Sequence, residues 1–169
     1  MIKLAGFLII LFSAVKIGFD MSQKYVNRLK ELKGVTNALE FMCKELNFTT
    51  PNVADMLCSA SKVNCKNIKR LFEDMSNFMK SNMNTPLEAF DKSKGSINFA
   101  LTDKDFQILS DYFAICGNGC VDDELNSIKL AVSMLKQNYE GAILDENKYV
   151  KLYRFTGLVA GLMLSIILI

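Results

Sequence analysis

Residues 4–19 read LAGFLIILFSAVKIGF, and residues 155–169 read FTGLVAGLMLSIILI. The first stretch contains a single charged residue, Lys16, and the second contains none. Both are short for a membrane helix, since about fifteen helical residues reach only about 22 Å across a hydrocarbon core of about 30 Å. The second helix can be extended inward by Tyr149, Val150, Leu152 and Tyr153. The charged ends of Lys16, Lys151 and Arg154 can reach the headgroups. The pattern therefore predicts a membrane-spanning helix in each stretch.

Residues 20–154 are expected to form one polar helical domain between a membrane helix at 1–19 and another at 155–169. An alternative for the first helix is a cleaved signal peptide, with Lys3 as its charged start. The tripeptide FSA at 12–14 argues against cleavage, because a bulky ring stands where a cleavage site needs a small residue. The alternative for the second helix is a buried core helix, although apolar residues on every face are typical of a helix in lipid.

Basic residues are concentrated on the inner side of both predicted membrane helices. The positive-inside rule therefore assigns residues 20–154 to the cytoplasm. The net charge is only +2, so the composition carries no general nucleic-acid signature, and we expect these residues to contact anionic lipid instead. They are Lys24, Arg28, Lys30 and Lys33 after the first helix, and Lys148, Lys151 and Arg154 before the second.

The composition excludes most catalytic chemistry. Histidine is absent, which removes Ser-His-Asp and Cys-His catalysis and every histidine-containing metal site. The cysteines number five, and the closest pair, Cys116 and Cys120, lacks redox or zinc spacing. Asp122, Asp123 and Glu124 fit a helix start better than an acid–base pair. We therefore predict a protein with no enzymatic activity, cofactor or metal, and the alternative is a thiol enzyme that uses the Cys116–Cys120 pair.

The chain between the two apolar stretches has the periodicity of helices and no strand pattern. Apolar residues recur in steps of three and four from Met21 to Leu46, and again from Leu125 to Tyr153. These segments predict two long amphipathic helices that pack antiparallel. The predicted fold class is all-α, a helical bundle whose two long helices are continuous with the membrane helices.

Short helices are expected between the two long ones, from local start signals. Each begins with a residue whose side chain can accept a hydrogen bond from the first free N–H groups of a helix. The expected caps are Thr50 and Thr85, each followed by a proline, then Asn64, and then Thr102 with Asp105 three residues later.

A glycine-rich turn follows the helix that Thr102 begins. Gly117-Asn118-Gly119 is expected to end this helix, because glycine and asparagine tolerate the left-handed backbone conformation. We predict that the exposed face of residues 109–117, together with this turn, is a docking surface for a partner protein.

Small residues line one side of each predicted membrane helix. Gly157, Gly161 and Ser165 are spaced by four in the second helix, and Ala14 and Gly18 have the same spacing in the first. Such faces let two helices approach closely in lipid. We predict that the two faces pack together or that the glycine face binds a partner's helix. The alternative is that small residues are simply common in lipid-buried helices.

Sequence features along the whole chain resemble the stage III sporulation protein AB family of endospore-forming bacteria. Each feature is a helix start or a lipid-facing segment, and their order and the total length are together specific. They are the opening KLAGFLIILFSAVKIGF, the basic helix at 25–32, TPNVA at 50–54, TPLEA at 85–89, L-x-x-x-DF-x-IL at 101–109, Gly117 before a long helix, and KY-x-x-LYR-x-x-GL-x-x-GL at 148–162. One departure is the turn after Gly117, where the family usually has an aspartate and this chain reads NGCV.

The resemblance implies a concrete role. The family is similar to the platform proteins of type II secretion and type IV pilus machines. A member is expected in the mother-cell membrane that surrounds the forespore, as a subunit of a transenvelope channel complex. Its expected partners are a secretion-type ATPase resembling stage III sporulation protein AA, other subunits of the same complex, and membrane lipid. The alternative is a stand-alone regulatory membrane protein whose long helices transmit a conformational change.

Overall fold

In a computed structural model the described part of the chain forms six α-helices. The structure describes residues 2–48, 52–82, 85–117 and 120–168, and within them all side chains except those of 2–11, 82 and 164–168. The helices are α1 (Ile2–Phe48), α2 (Val53–Ala60), α3 (Lys66–Asn82), α4 (Pro86–Gly95), α5 (Asp103–Ile115) and α6 (Val121–Leu168). None of the described ranges contains a strand, so the all-α prediction and its two long helices are confirmed.

The helix caps confirm the sequence signals at two starts and correct them at two others. The hydroxyl of Thr85 accepts from the Glu88 N–H at 3.3 Å, and α4 begins at the following proline. The cap of α2 is Asn52, whose side-chain oxygen accepts from the Ala54 N–H at 3.1 Å. The prediction that Thr50 caps α2 was therefore wrong. Asparagine is at least as good a cap as threonine, and Asn52 directly precedes the first turn. Residues 50 and 51 lie outside the described part.

The start of α3 also differs from the prediction. The carbonyl oxygen of Cys65 accepts from the Lys69 N–H at 2.7 Å, and it is the first acceptor of this helix. Asn64 therefore precedes the cap instead of forming it. At the start of α5 the Thr102–Asp105 pair is present as predicted, with the Thr102 N–H donating to the Asp105 carboxylate at 2.9 Å.

The described chain divides into two compact units. One, the central unit, comprises Lys30–Glu140. Its core is apolar and takes residues from all six helices, with Phe113 in ring contact with Phe72 at 6.3 Å and with Phe90 at 5.1 Å. The largest fully buried side chains are Phe72, Phe90, Phe113, Leu32, Leu39, Met42, Met56, Leu57, Ile68, Leu71, Met75 and Leu109. The apolar residues that recur at helical spacing in α5 and α3 are buried, apart from the half-buried Phe78; they are Phe106, Leu109, Tyr112 and Phe113 in α5, and Ile68, Leu71, Phe72 and Met75 in α3.

The second unit is the helix pair, formed by the described residues of α1 up to Leu29 and those of α6 from Gly141. Its two helices run antiparallel, because Gly18 lies beside Gly157 while Tyr25, further along α1, stacks on Tyr149 at a ring distance of 5.2 Å. The helix pair contains both predicted small-residue faces. The predicted domain boundaries, between residues 19 and 20 and between residues 154 and 155, mark where the chain would enter the membrane, and they stay a prediction.

The expected membrane spans do not emerge from the described residues. Within those ranges, no helix holds an apolar stretch of the length needed to cross a bilayer. In the first stretch, side chains are described only from Phe12, and the eight residues from there to Phe19 would cover about 12 Å. Residues 4–11 and 164–169, which complete the two predicted spans, lie outside the part whose side chains are described.

Candidate functional site

The two helices of the helix pair meet at glycine. A Cβ atom built on Gly18 would lie 2.8 Å from the carbonyl oxygen of Tyr153 and 3.1 Å from the Cα of Gly157. One built on Gly157 would lie 3.1 Å from the carbonyl oxygen of Ala14. Backbone therefore touches backbone here, and only residues without a side chain fit this separation.

The crossing brings together three of the five residues singled out as helix-packing positions, Ala14, Gly18 and Gly157. Gly161 is buried, and the side chain of Ser165 lies outside the described part. Their proposed role in packing within a membrane stays a prediction.

Large apolar side chains cover the outside of the helix pair. Phe12 is 74% exposed and Phe155 is 69% exposed. Others that are exposed on these helices are Ile17, Phe19, Met21, Leu144, Leu152, Leu158, Leu162 and Met163. Large exposed apolar side chains in this number on one pair of helices mark a membrane or protein contact. The helix pair is therefore the first candidate interaction site.

Arg154 of α6 contacts both an aromatic ring and a hydroxyl group of α1. Its guanidinium carbon lies 4.7 Å from the ring centre of Phe19, and its Nε donates to the hydroxyl of the buried Ser22 at 3.3 Å. On the same pair, Arg28 lies 3.7 Å from the carboxylate of Asp145. Basic side chains are thus fixed beside the exposed apolar surface, the arrangement that suits an interface between apolar and charged surroundings.

A second candidate site lies in the central unit between α5 and α6. This α5–α6 cleft has a volume of about 110 Å³ and is lined by Ile108, Asp111, Tyr112, Ile115, Ser127, Leu130, Ala131 and Met134. Leu130 is 61% exposed, and Ile115 and Met134 are nearly half exposed. The cleft offers a small apolar depression with one carboxylate at its edge, which suits a side chain of another protein better than a substrate.

Gly117 ends α5 directly after the residues that line this cleft. Its φ of +79° lies in the left-handed region, which confirms glycine as the helix stop. A Cβ there would also lie 3.1 Å from the Cγ2 of Val53, so the turn is packed against α2. Asn118 and Gly119, the other predicted docking residues, lie outside the described part. Docking through this turn stays a prediction.

The cysteine pair that left open a thiol enzyme has unlike environments. Cys120 is exposed, whereas Cys116 is buried and its thiol donates to the Glu124 carboxylate at 3.3 Å. Burial, reinforced by the negative charge of Glu124, raises the pKa of the Cys116 thiol to about 12. Burial beside the same thiol also raises the pKa of the Tyr112 hydroxyl. A buried, protonated thiol is a poor nucleophile.

We expect alkylation with iodoacetamide at pH 8 to modify Cys58 and Cys120 and to spare Cys116. At a pKa of about 12 only about one molecule in ten thousand carries the Cys116 thiolate at that pH, and burial limits access further. Mass spectrometry of the native chain measures the three rates, and the chain unfolded in guanidinium, where all thiols react, is the control. Rapid modification of native Cys116 would contradict the buried position.

Two buried carboxylates, Glu31 and Asp105, fix the end of the segment between α4 and α5 and the start of α5. Glu31 of α1 accepts from the side-chain amide of Asn67 at 2.6 Å and from the Ala100 N–H at 2.7 Å. Desolvation raises the pKa of this carboxyl, although these hydrogen bonds oppose the shift. Asp105 accepts from Thr102 and, at 2.7 Å, from the side-chain amide of Asn138. Both carboxylates are occupied by hydrogen bonds, so their role is to hold the fold.

No cluster of three potential metal ligands occurs among the residues that the structure describes. The chemistry that the helix pair and the α5–α6 cleft offer is apolar burial and charge.

Comparisons with known proteins agree on one family. The family model of stage III sporulation protein AB matches residues 3–169. A solved structure of a stage III sporulation protein AB (SpoIIIAB) superposes with a TM-score of 0.66 at 15% identity, over 72% of this chain and 98% of that chain. At that identity the likeness shows the fold alone. No curated protein matches the sequence.

Proposed function

We propose a non-enzymatic platform role for this chain, which belongs to the stage III sporulation protein AB family. Its role therefore lies in sporulation. The finer proposal is that the chain is an adaptor subunit of a secretion-like transenvelope complex and couples a cytoplasmic ATPase to the membrane assembly. The observation that carries it is that each unit has its own candidate contact surface. The helix pair exposes large apolar side chains, and the central unit has the apolar α5–α6 cleft.

The helix pair is the proposed membrane-attachment element, in the mother-cell membrane around the forespore. Exposed apolar side chains such as Phe12, Phe155 and Met163 would be costly in water, at about 25 cal/mol for each Å² of apolar surface. Contact with lipid removes this cost. At the edge of the apolar surface, Lys16, Lys151 and Arg154, which is held by Phe19, can contact anionic headgroups. The apolar sequence at 4–11 and 164–169 supports the same proposal.

The α5–α6 cleft is the proposed contact for the ATPase, a protein resembling stage III sporulation protein AA. Ile115, Leu130 and Met134 supply exposed apolar area around a depression into which a partner side chain can insert. Asp111 at its edge, and exposed Asp123 on the same face of α6 as Leu130, make the border acidic. The complementary partner surface is an apolar side chain flanked by lysine or arginine.

The test is purification of the tagged full-length chain from sporulating cells in gentle detergent, with co-purifying proteins identified by mass spectrometry. We expect recovery of a secretion-type ATPase with the unaltered chain and at least about a tenfold loss with Leu130→Asp, because a carboxylate would be buried at the contact. The control is Phe48→Asp, which changes an apolar residue of the same unit that is 88% exposed and lies outside the cleft.

Each result decides one part of the proposal. Equal recovery of the ATPase with Leu130→Asp and with the unaltered chain would show that the cleft is not the contact. Recovery of no ATPase from well-solubilised, correctly expressed protein would overturn the adaptor role and favour the stand-alone regulatory protein. Complete extraction of the chain from membranes by alkaline carbonate would contradict insertion of the helix pair in lipid.

A further inference from the structure

A third cavity of the central unit has a different character from the α5–α6 cleft. It has a volume of about 470 Å³ and lies between α1 and the segment that leads into α3. The polar residues that line it are Lys30, Lys33 and Asn37 from α1, and Asn64 and Lys66 from the second segment. We call this cavity the lysine pocket. It joins residues that lie between 27 and 36 positions apart in the sequence.

Gly34 explains why the two segments come so close. A Cβ atom built on this glycine would lie 2.8 Å from the Cβ of Cys65, so any larger residue would push the segments apart. Glycine in the middle of a helix costs about 0.5–1 kcal/mol relative to alanine. The close approach at Gly34 places Lys66 around the same cavity as Lys30 and Lys33.

The charges in the lysine pocket are not compensated. No carboxylate lines it, and none of the three lysines forms an ion pair with any residue in the described ranges. Glu31, the nearest acidic residue in the sequence, is buried and binds Asn67 and Ala100.

The other large cavity of this unit provides a contrast. That cavity, of about 560 Å³, lies along α3 and α4 and is lined by Arg70, Lys92 and Asp74 among others. There the Asp74 carboxylate lies 3.7 Å from the Nε of Arg70. A basic residue in that cavity therefore has its counter-charge within the fold, whereas the lysine pocket has none.

We propose that the lysine pocket binds a phosphate-bearing anion. Three like charges around one cavity repel each other, and a bound phosphate group reduces this repulsion. Lysine binds phosphate as a point charge, and the asparagine amides can donate further hydrogen bonds to its oxygens. The volume exceeds that of a simple ion and suits a diphosphate or the headgroup of an anionic phospholipid. A soluble diphosphate and a phospholipid headgroup both present phosphate oxygens, and protection of the lysines from acetylation distinguishes the two ligands.

The first measurement is calorimetric titration of the purified full-length chain in neutral detergent with inorganic pyrophosphate. We compare the unaltered chain with a variant in which Lys30, Lys33 and Lys66 are changed to glutamine. The control variant changes three other exposed lysines of the central unit, Lys44, Lys104 and Lys129, and so has the same net charge. We expect binding by the unaltered chain and the control, and a loss of about tenfold or more in the pocket variant.

The second measurement identifies the source of the phosphate and does not depend on a variant. Lysine acetylation is followed by mass spectrometry in the presence of pyrophosphate, or of neutral-detergent micelles that contain either anionic phosphatidylglycerol or zwitterionic phosphatidylcholine. Slower acetylation of the pocket lysines, with Lys44, Lys104 and Lys129 unchanged, supports the site. Protection by pyrophosphate assigns a soluble ligand, and protection by phosphatidylglycerol alone assigns a lipid.

Two results would overturn the proposal. One is equal weakening of pyrophosphate binding in both triple variants, since that would show a general effect of charge. The other is the absence of protection by either pyrophosphate or phosphatidylglycerol. Neither result bears on the ATPase contact, which is tested at a different surface.

Discussion

Replacing Asp105 with alanine is expected to lower the free energy of unfolding by about 3–5 kcal/mol. This carboxylate is fully buried and accepts from the backbone N–H and hydroxyl of Thr102 and from the amide of Asn138. Alanine removes the acceptor from these three donors, and a hydrogen bond to a charged group contributes about 1.5–3 kcal/mol. The start of α5 and its link to α6 are weakened together.

The matched control is Asp103→Ala, in the same first turn of α5. Asp103 is exposed, so its removal takes away only a favourable charge at the helix start, worth about 0.3–1 kcal/mol. Urea unfolding followed by circular dichroism measures both variants in the same buffer. Similar small losses for the two would mean that Asp105 does not carry the contacts described here.

Replacing Gly18 with leucine is expected to destabilise the helix pair by about 3 kcal/mol or more. The first added atom already lies 2.8 Å from the Tyr153 carbonyl oxygen, and backbone cannot move aside as a side chain can. The helices must separate, and the stacking of Tyr25 on Tyr149 and Tyr153 must loosen with them. Near-ultraviolet circular dichroism of the tyrosines and the thermal unfolding midpoint measure this change.

Gly141→Leu is the matched control for this substitution. It lies in α6 and in the same unit, but an added Cβ there meets nothing within 4 Å. Because leucine favours a helix over glycine by about 1 kcal/mol, we expect Gly141→Leu to be neutral or stabilising. If Gly18→Leu and Gly141→Leu behave alike, the close crossing at Gly18 and Gly157 is wrong.

Local signals in the sequence predicted most of the helices. The steps of three and four residues gave both long helices, and Thr85 and Gly117 mark a start and an end where expected. These signals work because helix hydrogen bonds and caps join residues at most four positions apart. They failed by one or two residues at Asn52 and Cys65, where several neighbouring polar groups compete for the same role.

Contacts between distant residues were harder to predict. The spacing of Ala14, Gly18 and Gly157 indicated faces that allow close packing, but the register that sets Gly18 opposite Gly157 depends on how two helices cross. No pattern within α1 distinguishes the buried Glu31 from an exposed glutamate, since its donors come from α3 and from the segment before α5.

The sequence by itself determined an all-α protein with two long helices, apolar segments at 4–19 and 155–169 and no histidine for catalysis. These properties follow from composition and from interactions a few residues long. Only the tertiary structure decided that Glu31 and Asp105 are structural acceptors, that Cys116 is shielded beside Glu124, and that three lysines share one cavity. Burial and electrostatic environment depend on which distant residues meet, and packing between helices sets this.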